Sequence, residues 1–277
     1  MAAAGSEEQE RLWNGPAGRA WADSQELVDR LFLRLRDLLT EAVPADASRV
    51  LDVGCGTGAT TVAIARRLGP AARCVGVDLS EPMVAGARDR AARERVAAAF
   101  VRADAATHRF EPATFDAVVS RFGVMFFDDP PRAFANLRRA AAGDGALRFI
   151  SWRGPDDNPF MTTAERAAAA LLDLPVRRSG EPGQFGLAEP AAIRAILAGG
   201  GWEAIEVSPV DAECSLPEDE LDAYLTRLGP VGRALEGADA TTRERVLATV
   251  RPAFDRYVAA GEVRFTAACW MVAARAA

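Results

Sequence analysis

The chain has 277 residues, about half of them apolar, and carries 33 basic against 39 acidic side chains for a net charge of -6. Length and composition suit one α/β domain with insertions, while the acidic balance argues against a nucleic-acid groove, which needs a basic face. One His and four cysteines too far apart for a Cys-x-x-Cys pair give no zinc pattern.

The first ten residues lack the basic start and apolar core of a secretory signal. No apolar run approaches the roughly 20 residues that span a bilayer. The expectation is a soluble cytoplasmic protein with no membrane span, reduced cysteines and an oligomeric state left open between monomer and homodimer. Trp13 and Trp21 flank a Gly-Pro turn in "WNGPAGRAW". From Ser24 to about Ala42, Leu27, Val28, Leu31, Leu35, Leu38 and Leu39 recur at helical spacing, which predicts one amphipathic helix ending before Pro44. "RVLDV" then reads as a buried strand, "ATTVAIARRL" as a helix stopped at Gly69-Pro70, and "CVGVDL" as a second strand. Ser80 is placed to cap the next helix, with Pro82 in its first turn. "FVRADA" and "FDAVVSRF" supply a third and a fourth strand, and a helix from about Pro131 to Ala141 leads through a turn, "AGDGA", into a fifth, "LRFISW". Strands alternating with helices over short connections predict a parallel sheet covered on both faces.

After Trp152 the rhythm breaks. The reading divides the chain into an N-terminal lid segment (1–23), a core (24–153), a lid insertion (154–189), a return to the core (190–215), a helical lid insertion (216–260) and a final core strand (261–277).

Gly54, Gly56 and Gly58 fall where the first strand hands over to a helix. Glycine loses more conformational freedom on folding than any other residue, so a ligand lying close to that backbone is the physical reason for three of them. Such a turn exposes the unpaired N–H groups of a helix start. It suits either the pyrophosphate of a dinucleotide or the methionine portion of S-adenosylmethionine (SAM). The dinucleotide fingerprint spaces its glycines G-x-G-x-x-G, whereas these read G-x-G-x-G. Asp52, two residues before the first glycine, would repel a pyrophosphate and suits an ammonium group. Asp78 ends the second strand, where its carboxylate can accept from both hydroxyls of a ribose.

These residues resemble the class I SAM-dependent methyltransferase family, most closely its small-molecule branch that includes ubiquinone/menaquinone C-methyltransferase-like enzymes. "VLDVGCGTG", "VGVDLSEPMV", "RADA", "FDAVVSRFGVMFF" and "ANLRRAAAGDGALRFISW" carry the likeness, and "AAAGDG" departs from the family's common Arg-Pro-Gly-Gly turn. The resemblance implies a Rossmann-like α/β fold with a largely parallel seven-stranded sheet, helices on both faces and helical lid insertions. It implies SAM as cofactor, S-adenosylhomocysteine as product and a small molecule as partner. By position, Asp52, Gly54, Cys55 and Gly56 would line the methionine end. Asp78 would take the ribose, with Leu79 and Met83 against the adenine face. The Asp104 side chain would accept from the adenine amino group and the Ala105 N–H would donate to the ring. Ser120 and Arg121, just past the fourth strand, would border the methionine end and the sulfur.

Methyl transfer from a sulfonium needs alignment and exclusion of water, and a base only when the acceptor must lose a proton. The chain has no Lys, one His and two tyrosines, so few bases are on offer. His108 follows the adenine loop and is read as a surface or loop residue. Asp128 and Asp129 are read as the start of a helix, and no metal is expected beside Arg121. The expected reaction is therefore methyl transfer, by proximity and desolvation, to a partly apolar acceptor that is secondary-metabolite, quinone-like or fatty-acid-like. The alternative is a regulatory protein that binds SAM without turnover.

Overall fold

The computed structural model describes residues 2–175 and 180–276, so residues 176–179 of the expected lid insertion at 154–189 lie outside the described ones. Four helices come first: α1 (Ala2–Asn14), α2 (Pro16–Asp23), α3 (Gln25–Leu31) and α4 (Leu33–Ala42). The helix expected from Ser24 to Ala42 is thus two. At their joint, Phe32, the ladder continues from Phe32 N to Val28 O and from Arg36 N to Phe32 O. The Phe32 carbonyl also accepts from Arg121 Nη1 at 3.3 Å. Phe32 itself leaves helical geometry, with φ -108° and ψ 22°.

The alternation that follows is β1 (Arg49–Val53), α5 (Ala59–Leu68), β2 (Arg73–Asp78), α6 (Glu81–Glu94), β3 (Ala98–Arg102), β4 (Phe115–Arg121), α7 (Pro130–Ala140) and β5 (Ala141–Trp152). The strand expected after an "AGDGA" turn starts at Ala141 itself. Phe115 pairs with Ala141 and Ala117 with Ala146, so residues 142–145 form a bulge inside the strand rather than a turn before it. The remainder is α8 (Pro159–Ala168), α9 (Pro190–Gly199), β6 (Trp202–Pro217), α10 (Leu221–Arg227), α11 (Gly229–Ala234), α12 (Ala240–Val250), β7 (Val258–Ala259) and β8 (Glu262–Ala276). Strand β6 stays paired with β8 as far as Pro217 opposite Glu262, so the helical insertion begins after Pro217 and not at Leu216.

The sheet order is β3-β2-β1-β4-β5-β8-β6, with the two-residue β7 paired back onto β8 as an eighth strand. Strands β1 to β5 pair in parallel, and β8 lies antiparallel between β5 and β6. The four residues after Arg49 in β1 are all buried, as expected of a strand covered on both faces. Strand order reverses between β1 and β4, and ligands of open α/β sheets bind outside the carboxyl ends of the strands at such a switch point. Asp52, Asp78 and Arg121 all stand at those ends.

The packing joins the insertions to this edge. Leu35 and Leu39 of α4, one turn apart, are fully buried in the same cluster as Leu51, Val118 and Phe149 of the sheet and Leu221, Leu225 and Val246 of the helical insertion. Phe160 of α8 stacks on Phe265 of β8 with centroids 3.8 Å apart. The helices above the sheet edge are therefore held by the core that holds the sheet.

Candidate cofactor and acceptor site

The turn after β1 is tied to β2 before any ligand arrives: Gly54 N and Cys55 N both donate to Val77 O, at 2.8 and 3.0 Å. Two of its glycines have different reasons to be there. At Gly54, with φ +66°, a Cβ would stand 2.6 Å from Gly123 Cα, so only glycine lets this turn pack on the end of β4. At Gly56, with φ +53°, a Cβ would meet only Met83 Sδ at 3.7 Å. That position leaves a bare wall facing a cavity.

Asp52 is almost wholly buried. Its Oδ2 accepts from Thr61 Oγ1 at 2.6 Å, and its Oδ1 has no partner among the described residues. Burial pushes its carboxyl up to about 7, against the hydrogen bond from Thr61 and the charge of Arg121. A carboxylate oxygen stripped of water and left without a donor is an incomplete pair. An ammonium group completes it. Asp78 is arranged differently: Oδ2 accepts from Gly56 N at 2.8 Å and Oδ1 from Ser80 N at 2.9 Å. Burial raises its pKa although backbone N–H groups oppose the rise. Asp104 turns onto its own loop, accepting from Ala106 N at 2.9 Å and Thr107 Oγ1 at 3.0 Å. Between these bonded neighbours, the Ala105 N–H finds no acceptor among the described residues.

One cavity of about 1090 Å³ gathers these groups. Its walls include Asp52, Gly54, Cys55 and Gly56, then Asp78, Leu79 and Met83, then Asp104 and Ala105, and finally Arg121. Ser120 is the exception. Strand β4 runs through Arg121, so neither residue lies past it. Successive strand side chains point to opposite faces, and Ser120 turns inward while Arg121 faces the cavity. Ser120 Oγ donates to Val53 O at 2.7 Å and accepts from Gly123 N and Val124 N at 3.1 and 3.2 Å. It braces the wall from behind.

Helices α1 and α2 cover the β2 end. Asn14 clasps the turn after Asp78, its Nδ2 donating to Leu79 O at 3.1 Å and its Oδ1 accepting from Glu81 N at 2.9 Å. Ser80 Oγ donates to Trp13 O at 2.6 Å. Trp13 stands edge-on to Trp21 and to Phe126, both of which line the cavity. The clasp through Asn14 was not foreseen from sequence, and neither was Tyr224 of α10, whose ring lines the cavity from the helical insertion. Asp129 accepts from Arg132 N at 3.1 Å and caps α7.

His108 does not line the cavity. Its ring packs edge-on against Phe110 at 4.7 Å, and its main-chain N–H donates to the Asp104 carbonyl at 2.8 Å. His108→Ala is expected to keep methyl-transfer rates within about threefold of wild type, because a general acid or base must reach the proton it moves and would contribute at least about 100-fold. Single-turnover kinetics with radiolabelled methyl donor check this.

The cradle fits an adenosyl-methionine cofactor: an orphaned buried acceptor stands beside the bare glycine wall, a second carboxylate ends β2, and an unpaired amide follows β3. Fold and site together define a Rossmann-like nucleoside-binding domain. Residues 50–145 match the family model of a methyltransferase domain. A malonyl-[acyl-carrier protein] O-methyltransferase of Geobacter sulfurreducens is 34% identical over 194 residues, 69% of this chain and 68% of its own length. A demethylmenaquinone methyltransferase of Thermus thermophilus is 35% identical over 127 residues, 46% of this chain and 56% of its own. Among solved structures, the YcgJ protein of Bacillus subtilis superposes with a TM-score of 0.57 at 17% identity, over 88% of this chain and 98% of its own. Geranyl diphosphate methyltransferase in complex with SAM superposes with a TM-score of 0.52 at 16% identity, over 88% and 85%. The chain belongs to the class I SAM-dependent methyltransferases, in their small-molecule branch. Its cofactor is S-adenosylmethionine. Among the described residues no helix is long and apolar enough to cross a membrane.

Proposed function

We propose that the chain transfers the sulfonium methyl group of SAM to a small, partly apolar acceptor held beneath the helical insertion. SAM supplies the electrophilic methyl carbon, and the residues supply position and dryness. Asp52 holds the ammonium group, with Gly54, Cys55 and Gly56 against the methionine chain. Asp78 holds the ribose, Leu79 and Met83 flank the adenine, and Asp104 with the Ala105 N–H reads its edge. Arg121 stands between the methionine end and the rest of the cavity.

The observation that carries this reading is the orphaned Asp52 oxygen in a cavity whose wall also holds the rings of Phe32, Phe122 and Trp152. Ligand pockets run to roughly 300–1000 Å³, and this one, at about 1090 Å³, has room for a cofactor and an acceptor side by side. The relatives' names, which speak of a quinone precursor and of an acyl-carrier-bound malonyl group, support acceptors that are quinone-like or fatty-acid-like. In-line displacement then proceeds by proximity and desolvation.

Thermal denaturation with S-adenosylhomocysteine or with NAD tests the cofactor half. At about 100 times its dissociation constant the former should stabilise the fold by about 2.7 kcal/mol, and NAD should leave the midpoint unchanged. The reverse result sinks the reading. Radiolabelled methyl transfer across quinol, fatty-acid and phenolic acceptors tests the other half; label appearing on polar, wholly hydrophilic acceptors alone would contradict it.

A further inference from the structure

Arg121 occupies the last position of β4, opposite Ile150 of β5. Its guanidinium reaches the cavity wall at a depth where burial holds its pKa below the usual range. Yet the single bond from Nη1 to the Phe32 carbonyl is all that the described residues give it. Asp29, the acid facing it from α3, is already paired with Arg90, and Asp52 acts on it through space alone. Arg121 is half-buried and its remaining donors open onto the cavity, where the planar guanidinium offers an anion two parallel bonds.

The surroundings say what that anion is attached to. Phe122 and Trp152 stack in parallel with centroids 4.8 Å apart, and Phe32 stands edge-on to both at 5.6 and 5.8 Å. All three line the cavity beside Arg121. From above comes Tyr224, whose hydroxyl donates, among the described residues, only to Met161 Sδ at 3.9 Å and which burial keeps in its protonated, donor form. The charge of Asp52, the acid assigned to the methionine end, acts on Arg121, while Arg121 bonds the carbonyl of Phe32 and is followed in the chain by Phe122, two of those three rings. Arg121 thus stands where the methionine end gives way to the aromatic chamber, the position an in-line acceptor must take.

We propose that the acceptor is a carboxylate ion paired with Arg121, its apolar body lying against Phe32, Phe122 and Trp152, and that the product is its methyl ester. This rests on the methyl-transfer reading above. A lone pair of the carboxylate oxygen forms the new O–C bond to the methyl carbon while the C–S bond breaks and its electron pair stays on sulfur. The negative carboxylate and positive sulfonium become a neutral ester and a neutral thioether, and no proton moves. A base is therefore unnecessary, in keeping with a protonated Tyr224 and a His108 outside the cavity. Arg121 matches carboxylate geometry with two parallel donors.

Decanoate and 3-phenylpropanoate, each against its neutral amide, are titrated calorimetrically into protein saturated with S-adenosylhomocysteine. Each acid should bind at least tenfold more tightly than its amide. Arg121→Gln should erase that preference and Arg121→Lys should retain part of it, each variant being titrated at saturating S-adenosylhomocysteine. With tritiated methyl donor, the label should appear on the acid and leave as methanol in mild alkali. Equal binding of acid and amide, no binding of either acid, or an alkali-stable label overturns the proposal. So does Arg121→Gln losing S-adenosylhomocysteine tenfold with the acid preference intact, which would give the guanidinium to the cofactor's own carboxylate. Failure of wild type to bind S-adenosylhomocysteine at all would instead sink the cofactor reading.

Discussion

Asp52→Asn is expected to melt above wild type at pH 8 without ligand, and to bind S-adenosylhomocysteine at least tenfold more weakly. Both effects come from one orphaned oxygen. Asp52 titrates near 7 in the fold against 3.8 for an ordinary carboxyl, because burial outweighs the Thr61 hydrogen bond. Between those values the folded chain keeps a proton that the unfolded chain has released. The group's contribution to stability therefore falls as pH rises from about 4 to about 7, and above 7 the full penalty is present. Asn keeps an acceptor for Thr61 Oγ1 and carries no charge. A tenfold difference between the folded and unfolded protonation equilibria is worth about 1.4 kcal/mol, or about 3–6 °C in Tm. The gain should shrink as pH falls toward 5, where wild type is protonated too. The ligand reverses the ranking: an ammonium paired with a charged acceptor is worth about 1.5–3 kcal/mol, tenfold or more in affinity. Wild-type affinity should also decline below pH 7, since the proton must leave first, while the Asn variant stays flat. Scanning calorimetry and titration calorimetry at pH 5.5, 7 and 8 measure all of this. A variant that melts lower at pH 8, or binds as tightly as wild type, contradicts it.

The parts of this site legible in sequence are the local ones. A run of apolar residues, an acid and alternate glycines all sit within nine positions, Val50 to Gly58, so their geometry follows from strand period and turn sterics. What escaped was set at long range. The carbonyl of Phe32, where the helix divides, accepts from Arg121, 89 positions away, and helical periodicity alone cannot register that contact. Asn14 reads as a turn residue in "WNGP", yet it clasps a turn 65 positions on. The inward turn of Ser120 was within reach: with Arg121 next to it in one strand, the two cannot both face the cavity. Tyr224 lies in an insertion without a motif, and only the packing of α10 against the sheet cluster brings it over the chamber. Asp104 is intermediate, its position legible but not its bonds to Ala106 and Thr107.

Asp78→Ala should cost more than a ribose contact. The carboxylate is also the acceptor that ties the glycine turn, through Gly56 N, to the start of α6, through Ser80 N. Truncation leaves two backbone donors without a partner, each worth about 1–3 kcal/mol where water cannot replace the bond. The same turn anchors the N-terminal helices through Asn14 and Ser80, so loosening it frees the cover as well as the floor. Three results are expected together: S-adenosylhomocysteine binding reduced by tenfold to a hundredfold, a lower Tm, and faster tryptic cleavage after Arg11 or Arg19 in the folded protein. Comparing adenosine with 2′,3′-dideoxyadenosine separates the ribose contribution from the loop's. Wild type should favour adenosine by at least tenfold, because both lost hydroxyls donate to a charged acceptor, and Asp78→Ala should not discriminate. If wild type binds the two nucleosides equally, Asp78 is a brace for the turn and the sugar is held elsewhere.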